Sequence, residues 1–265
     1  MRLSGAIAAL VLLGAGALAG CVPQRATAGG DLPDLGVPGP HQVLVSAAPA
    51  HTFYAPAAFA DGARYPVVLW GNGTGAAPTV YDALLRHLAS HGFLVAAANT
   101  PRALTGAELL TGLDQLTAFD RDPGSRFHGH VDATAVGATG HSQGGGGALN
   151  AARDPRVRTA APLQPWRGEA GLVRGSVLLL AGGDDRVVPP ADVRAAFDQV
   201  TGRGAYAELR TGPHTEPARD GGRYRAVLTA WLLWTLRGDE RAGAWFTGPG
   251  CGLCRSPDWT YQPDL

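Results

Sequence analysis

Short apolar runs alternate with amphipathic segments along most of this chain, and this alternation restricts its possible folds more than any other feature. The apolar runs have the length of buried strands, and the segments between them repeat apolar residues at helical spacing. Candidate strands occupy residues 65–70, 92–98, 136–139, 157–163, 176–181 and 205–209, and candidate helices occupy 79–91, 106–119, 148–153, 191–200 and 223–236. Strands separated by helices favour a mostly parallel sheet covered by helices on both faces. We therefore predict one α/β domain over residues 41–265.

Two details refine this prediction. Residues 42–46 and 52–54 are candidate antiparallel edge strands at the start of the domain. Only about a dozen residues separate the candidate strands 157–163 and 176–181, which leaves no room there for a lid domain. We therefore expect a functional cleft that is open to solvent.

The charged residues exclude several classes of function. The 22 basic residues balance 22 acidic residues, so the formal net charge is zero at pH 7. A chain without excess positive charge lacks the electrostatic footprint of a nucleic-acid-binding protein. Every basic residue is Arg and none is Lys. The chain therefore has no lysine for Schiff-base chemistry or for a phosphate-binding P-loop.

The N-terminus has the pattern of an export signal. Leu3–Leu18 is almost entirely apolar but is too short to span a bilayer, so we predict a signal peptide over residues 1–20. The sequence around Cys21 resembles a bacterial lipobox, which predicts a lipid anchor at that residue and no other membrane contact. Cleavage after the A-x-A pattern at 17–19 would instead release a soluble protein. Residues 21–40 are expected to form a flexible tether, and in both cases the domain works outside the cytoplasm.

Two further cysteines lie close together near the C-terminus. In an exported chain, Cys251 and Cys254 are expected to form a small structural disulfide. A redox-active C-x-x-C pair belongs at a helix start after an early strand, whereas this pair follows Gly248–Gly250 late in the chain. Two cysteines without nearby histidines are also too few for a zinc site.

A serine occupies the centre of the pattern G-x-S-x-G over residues 140–144. In this motif the serine lies on a sharp turn between a strand and a helix, and here a candidate strand precedes it and a candidate helix follows. Gly144 to Gly147 are four consecutive glycines at the start of that helix. Each glycine costs about 1 kcal/mol relative to Ala inside a helix, so close backbone packing is expected to compensate. Ser142 is therefore a candidate nucleophile.

A serine hydroxyl needs a base to remove its proton and a carboxylate to orient that base. The chain offers both at later strand ends: Asp184 and Asp185 follow the strand at 176–181, and His214 follows the strand at 205–209. The order Ser, Asp, His is that of the α/β-hydrolases. The spacing alone does not distinguish the two aspartates.

The same pattern predicts where negative charge on a substrate oxygen would be stabilised. In this fold an oxyanion hole combines the backbone N–H after the nucleophile, here that of Gln143, with one from the loop after an early strand. Thr74 is our candidate in the glycine-rich loop at 71–75. A dinucleotide-binding G-x-G-x-x-G motif is excluded because residue 76 is Ala.

A possible metal motif lies at His128, His130 and Asp132, which match H-x-H-x-D. The zinc hydrolases with this motif have a further His next, where this chain has Ala133, and a zinc site needs more ligands than remain available. We therefore predict a solvated turn, no metal and no cofactor.

Five motifs together resemble one family, the exported bacterial cutinases and polyester hydrolases, including poly(ethylene terephthalate) (PET) hydrolases, within the α/β-hydrolases related to dienelactone hydrolase. The resemblance covers about residues 40–262. It rests on Ala89–Phe93, Gly140–Gly147, Pro162–Trp166, Asp185–Pro189, and His214 followed by Pro217.

The resemblance implies an α/β-hydrolase fold and roles for particular residues. It favours Asp185 over Asp184 as the acid and implies that Trp166 lines the substrate cleft. The cysteines near the C-terminus resemble the closing disulfide of this family. Gln143 and Thr74 stand where the family often has Met and an aromatic residue, at two positions that line the acyl-binding cleft.

These observations predict an exported, monomeric serine esterase that is similar to cutinases and acts on small or polymeric esters. Two alternatives remain open. The substrate could belong to another ester class, as in a lipase or a small-ester carboxylesterase. The chain could also be a catalytically silent lipoprotein that keeps the fold for binding.

Overall fold

A nine-stranded sheet forms the centre of residues 32–265, the part of the chain that this computed structural model describes. The strands are β1 (Val43–Ala47), β2 (His51–Pro56), β3 (Tyr65–Gly71), β4 (Leu94–Ala98), β5 (Val131–Gly140), β6 (Val157–Ala160), β7 (Ser176–Gly182), β8 (Gly204–Leu209) and β9 (Trp259–Asp264). Their order in the sheet is β1-β2-β4-β3-β5-β6-β7-β8-β9. Strands β3 to β8 are mutually parallel, and the remaining strands pair antiparallel at the two edges. The predicted mostly parallel α/β sheet is confirmed.

Helices cover both faces of this sheet. They are α1 (Asp82–Ser90), α2 (Ala107–Arg121), α3 (Gln143–Ala151), α4 (Pro190–Phe197), α5 (Tyr224–Arg237), α6 (Glu240–Gly243) and α7 (Gly252–Arg255), with short 3₁₀ turns at Pro78–Tyr81 and Ala170–Leu172. Side chains of β3 alternate between the two faces, as the period of a strand requires. Val68 and Trp70 join a core with α1 and α5, whereas Val67 and Leu69 join a second core with α2, α3 and α4.

The structure differs from the sequence-based boundaries at several elements. The predicted helix at 79–91 begins as a 3₁₀ turn, and α1 itself starts at Asp82. Strand β5 begins at Val131, several residues before the predicted start. Strand β9 was not predicted, because its polar sequence shows no apolar alternation; it is held by a full antiparallel ladder with β8.

The signal peptide, Cys21 and the first part of the predicted tether lie outside the described residues. The last part of that tether, however, packs on the domain. Leu35 is buried, and its carbonyl lies 3.0 Å from Nε2 of His87 in α1. The N–H of Gly39 donates to the Ser90 hydroxyl at 2.8 Å. The packed domain therefore begins before residue 41, because a single apolar side chain and backbone hydrogen bonds anchor a segment whose composition resembles a linker.

Cys251 and Cys254 form a disulfide at the start of α7, as predicted. Among the described residues, none of the helices combines the length and the apolarity that crossing a bilayer would require.

The glycine run of α3 lies against neighbouring backbone. A Cβ atom on Gly144 would collide with the backbone of Gly71 at the end of β3, and one on Gly147 would collide with the carbonyl of Ala103. The close packing that the sequence led us to expect therefore exists. It explains why α3 tolerates four residues that disfavour a helix.

Gly147→Ala should destabilise the protein by about 1–3 kcal/mol, because its methyl group has no space beside the Ala103 carbonyl. Urea unfolding would measure this change. Gly202→Ala is the matched control, since the nearest atom to its Cβ would be a carbonyl oxygen 3.9 Å away in an exposed turn. Equal free energies of unfolding for the two variants would contradict the packing argument.

Candidate active site

Ser142 lies on the sharp turn between β5 and α3. Its backbone has φ 54° and ψ −120°, a conformation that non-glycine residues rarely adopt. The turn is held from both sides: the Ser142 N–H donates to the carbonyl of Leu163 at 3.0 Å, and the Ser142 carbonyl accepts the N–H of Trp166 at 2.9 Å. The structure therefore presents the hydroxyl at the carboxyl end of β5 on a fixed backbone.

Ser142, His214 and Asp185 form one chain of hydrogen bonds. The Ser142 Oγ lies 3.0 Å from Nε2 of His214, and Nδ1 of the same ring lies 2.6 Å from Oδ2 of Asp185. The three residues follow β5, β8 and β7, whose carboxyl ends meet at one edge of the sheet. Because a carboxylate accepts only, Nδ1 carries the proton and Nε2 is free to accept from the serine.

The Asp185 carboxylate is fully buried and is oriented by backbone donors. Its Oδ1 accepts the N–H groups of Val187 and Val188, both at 2.8 Å, which leaves Oδ2 for His214. Asp184 is exposed, and its N–H donates to the carbonyl of Gly212. The structure thus brings Asp185, rather than its neighbour, into contact with the histidine.

The two predicted oxyanion-hole residues are tied together by their side chains. Nε2 of Gln143 donates to Oγ1 of Thr74 at 3.1 Å, and Oε1 of Gln143 accepts the N–H of Ala103 at 3.0 Å. Within residues 32–265, neither the backbone N–H of Thr74 nor that of Gln143 has a hydrogen-bond acceptor. Both donors are therefore available to an oxygen of a bound molecule, next to the positive N-terminal end of α3.

The backbone N–H of Trp166 contacts the serine turn, and the Trp166 side chain is half-buried. The guanidinium of Arg167 stacks on its indole ring, 4.5 Å from the ring centroid. One face of the predicted substrate-lining ring is therefore covered by a cation from the next residue.

A second histidine, His141, packs against His214 with the ring centroids 4.6 Å apart. Its Nδ1 lies 2.9 Å from the hydroxyl of Tyr81. Burial, together with a smaller effect of the neighbouring His214, lowers the pKa of His141 to about 4. His141 is therefore a neutral ring at pH 7. The contact with Tyr81 was not predicted, because Tyr81 reads as an ordinary apolar position of a helix.

The residues of the possible metal motif each hydrogen-bond to separate neighbours. Nδ1 of His128 lies 2.9 Å from the carbonyl of Asp120, and Nδ1 of His130 lies 2.7 Å from that of Ala63. Asp132 accepts the N–H and hydroxyl of Thr134. Among the described residues, no group of three His, Cys, Asp or Glu side chains is arranged to hold a metal ion.

Buried histidines predict a loss of stability in mild acid. Burial lowers the pKa of His87, like that of His141, from an ordinary 6.5 to about 4. Between these values the unfolded chain binds more protons than the folded one, so the free energy of unfolding should fall as the pH is lowered. Each histidine contributes up to about 1.4 kcal/mol per pH unit. Urea unfolding at pH 7.0, 5.5 and 4.5 measures the slope, and His87→Gln should reduce it; an unchanged slope would contradict this account.

Comparison with known proteins places this geometry in a family. The family model described as PETase, PET hydrolase-like, matches residues 43–256. A bis(hydroxyethyl) terephthalate hydrolase of Streptomyces coelicolor is 32% identical over 72% of this chain and 63% of its own length. Cutinase est1 of Thermobifida alba is 30% identical over 64% of this chain and 61% of its own length. Lipase 1 of a Moraxella species is 32% identical over 67% of this chain and 55% of its own length.

This chain therefore spans less than two thirds of the length of these relatives. The family match covers most of the chain, from β1 to the end of α7, and it includes Ser142, Asp185 and His214. The chain belongs to the PET hydrolase-like family of cutinases and polyester hydrolases.

Proposed function

We propose that this protein is an exported carboxylic ester hydrolase that works through an acyl-enzyme on Ser142. The observation that carries the proposal is the continuous chain of hydrogen bonds from Ser142 through His214 to the buried carboxylate of Asp185. A hydroxyl becomes a strong nucleophile when a positioned base accepts its proton and a third group orients that base. The names of the relatives support the same class of substrate, since these proteins are a bis(hydroxyethyl) terephthalate hydrolase, a cutinase and a lipase.

The proposed reaction has two acyl-transfer steps. Ser142 Oγ attacks the ester carbonyl while His214 Nε2 takes its proton, and Asp185 stabilises the resulting imidazolium. The backbone N–H groups of Gln143 and Thr74 donate to the oxyanion. When the tetrahedral intermediate collapses, His214 returns the proton to the leaving alcohol. Water then attacks the acyl-enzyme by the same route, which releases the acid and restores Ser142. This chemistry needs no metal or organic cofactor.

The preferred substrate class is a bulky or polymeric ester, as in a cutinase or polyester hydrolase. The segment between β6 and β7 contains only a short 3₁₀ turn, so it places no lid domain over the serine. Thr74 is exposed at the mouth of the site, which leaves its backbone N–H accessible to a large substrate. A lipase-like or small-ester preference is the alternative that a substrate panel would distinguish.

We also propose that the protein works outside the cytoplasm as a monomeric domain. In this proposal residues 1–20 are a signal peptide, Cys21 carries the lipid anchor, and the chain up to the packed segment near Leu35 is the tether. The disulfide between Cys251 and Cys254 supports an oxidising compartment. Release as a soluble protein is the alternative for the N-terminus.

Ser142→Ala tests the proposed nucleophile. It should lower kcat/KM for p-nitrophenyl esters by at least about 10⁴-fold, because the attacking atom is missing. A serine-directed phosphonate should label the wild type once and leave this variant unlabelled. Ser256→Ala, which changes a serine beyond α7, is the control and should behave as the wild type. The ester series should run from acetate to long acyl chains and include polyester film; full activity without Ser142 would refute the assignment.

Asp185→Asn tests the orientation of the base. The N–H groups of Val187 and Val188 would hold the amide oxygen in the place of Oδ1, so the amide nitrogen would face His214. An N–H donor there requires an unprotonated Nδ1, which moves the ring proton to Nε2 and blocks acceptance from Ser142. We expect kcat to fall by about 10⁴-fold with the fold intact. Asp184→Asn is the matched control; if the two variants lost the same activity, the choice of Asp185 would be wrong.

A further inference from the structure

Three buried polar side chains form a network behind the proposed catalytic residues. Tyr81, His141 and Gln164 are 2%, 6% and 0% exposed, so their polar atoms depend on one another and on nearby backbone rather than on bulk solvent. Burying polar groups costs free energy unless they form hydrogen bonds. None of the three is needed for the proton transfers described above. Their burial directly beneath the site requires another explanation.

One end of the network holds the loop that follows β3. The hydroxyl of Tyr81 accepts the N–H of Gly73 at 3.2 Å and lies 2.9 Å from Nδ1 of His141. A hydroxyl has one donor and two acceptor positions, so it can accept from Gly73 and also donate its proton to Nδ1, which is the direction that we assign. Gly73 immediately precedes Thr74, whose N–H is a proposed oxyanion donor. The position of that donor therefore depends on the Tyr81 hydroxyl.

The other end of the network holds the loop that carries His214. The amide nitrogen of Gln164 donates to the carbonyl of Pro213 at 2.9 Å. Nε2 of His141 faces the backbone carbonyl of His214 and the side chain of Gln164, although neither contact reaches full hydrogen-bond geometry. With Nδ1 accepting from Tyr81, the proton of a neutral His141 lies on Nε2, directed at these two acceptors. Nε2 of His141 and Oε1 of Gln164 are both buried without a hydrogen-bond partner in the described part of the chain, so His141 meets the loop of His214 through the packing of the two rings rather than through a closed hydrogen bond.

We propose that Tyr81, His141 and Gln164 are positioning residues that fix the loop of Thr74 and the loop of His214 relative to each other. This inference rests on the proposed function, because it concerns the placement of its oxyanion donor and its base. The two loops lie far apart in sequence, and the network joins them through Gly73 at one side and Pro213 at the other. A small displacement of a preorganised group is enough to cost one to two orders of magnitude in rate.

Tyr81→Phe removes one hydroxyl and tests the network. We expect kcat for p-nitrophenyl acetate to fall about 10- to 100-fold while KM changes by less than about twofold, because the displaced groups act on the transition state. Tyr65→Phe is the matched control: Tyr65 is also buried, and its hydroxyl accepts the N–H of Ala60 at 3.0 Å at the opposite end of β3. Its kcat should stay within about twofold of the wild type.

Two results would overturn the proposal at this stage. One is a kcat for Tyr81→Phe equal to that of the control, and the other is a raised KM with an unchanged kcat. Ser142→Ala, run beside them, separates the network from the chemistry. If Ser142→Ala is inactive and Tyr81→Phe is fully active, the network is rejected and the ester hydrolase remains. If Ser142→Ala is active, the proposed function itself fails.

A double variant distinguishes a connected network from two separate packing defects. Gln164→Met removes the hydrogen bond to Pro213 with a side chain of similar length. If both residues act through His141, Tyr81→Phe combined with Gln164→Met should lose little more activity than the more impaired single variant. Losses that multiply would overturn the proposal.

The wild-type protein supplies a test that requires no variant and therefore does not depend on whether Tyr81→Phe folds. Nitrogen-15 NMR of the imidazole rings at pH 7 should show His141 neutral, with its proton on Nε2. A proton on Nδ1, or on both nitrogens, would contradict the donor–acceptor path from Tyr81 and overturn the proposal.

Discussion

Contact between glycine backbones is the constraint on which the rest of the site depends. The parallel ladder of β3 and β5 runs to the pair Gly71 and Gly140, where both strands end. A Cβ at Gly71, Gly140 or Gly144 would strike the opposing backbone. This contact brings the turn of Ser142 next to the loop after β3. The proposed nucleophile and both proposed oxyanion donors therefore share one backbone junction. The geometry of this junction does not depend on side-chain rotamers.

The site surrounds a charge that exists only during the reaction. The proposed imidazolium on His214 faces the buried carboxylate of Asp185 on one side and the ring of His141 on the other. A charged His141 would repel it, and the low pKa of that ring prevents this at neutral pH. Burial, which is costly for a single polar group, is here what keeps the second ring uncharged. Stabilisation of the positive charge on His214 therefore depends on the exclusion of water from His141 as much as on the hydrogen bond to Asp185.

Local patterns in the sequence were sufficient for the strands and helices of the parallel sheet and for the turn at Ser142, because each of these elements is indicated by residues that are near neighbours in the chain. They were insufficient where distant segments meet. Strand β9 is defined by pairing with β8 rather than by its own pattern. Tyr81 and Gln164 have no sequence signature, since their partners lie far away in the chain. The burial of Leu35 was likewise not predictable from the sequence, because a single apolar residue shows no periodicity.

Strand β9 also has a consequence for how these molecules behave at high concentration. An uncovered β8 would present a row of free backbone donors and acceptors next to the loop of His214, open to strand addition by a second molecule. β9 occupies that row completely, from Gly204 to Leu209. Its own outer margin includes Pro263, which lacks an N–H, and the acidic Asp264. Strand β9 therefore protects the edge of β8 against strand addition by a second molecule.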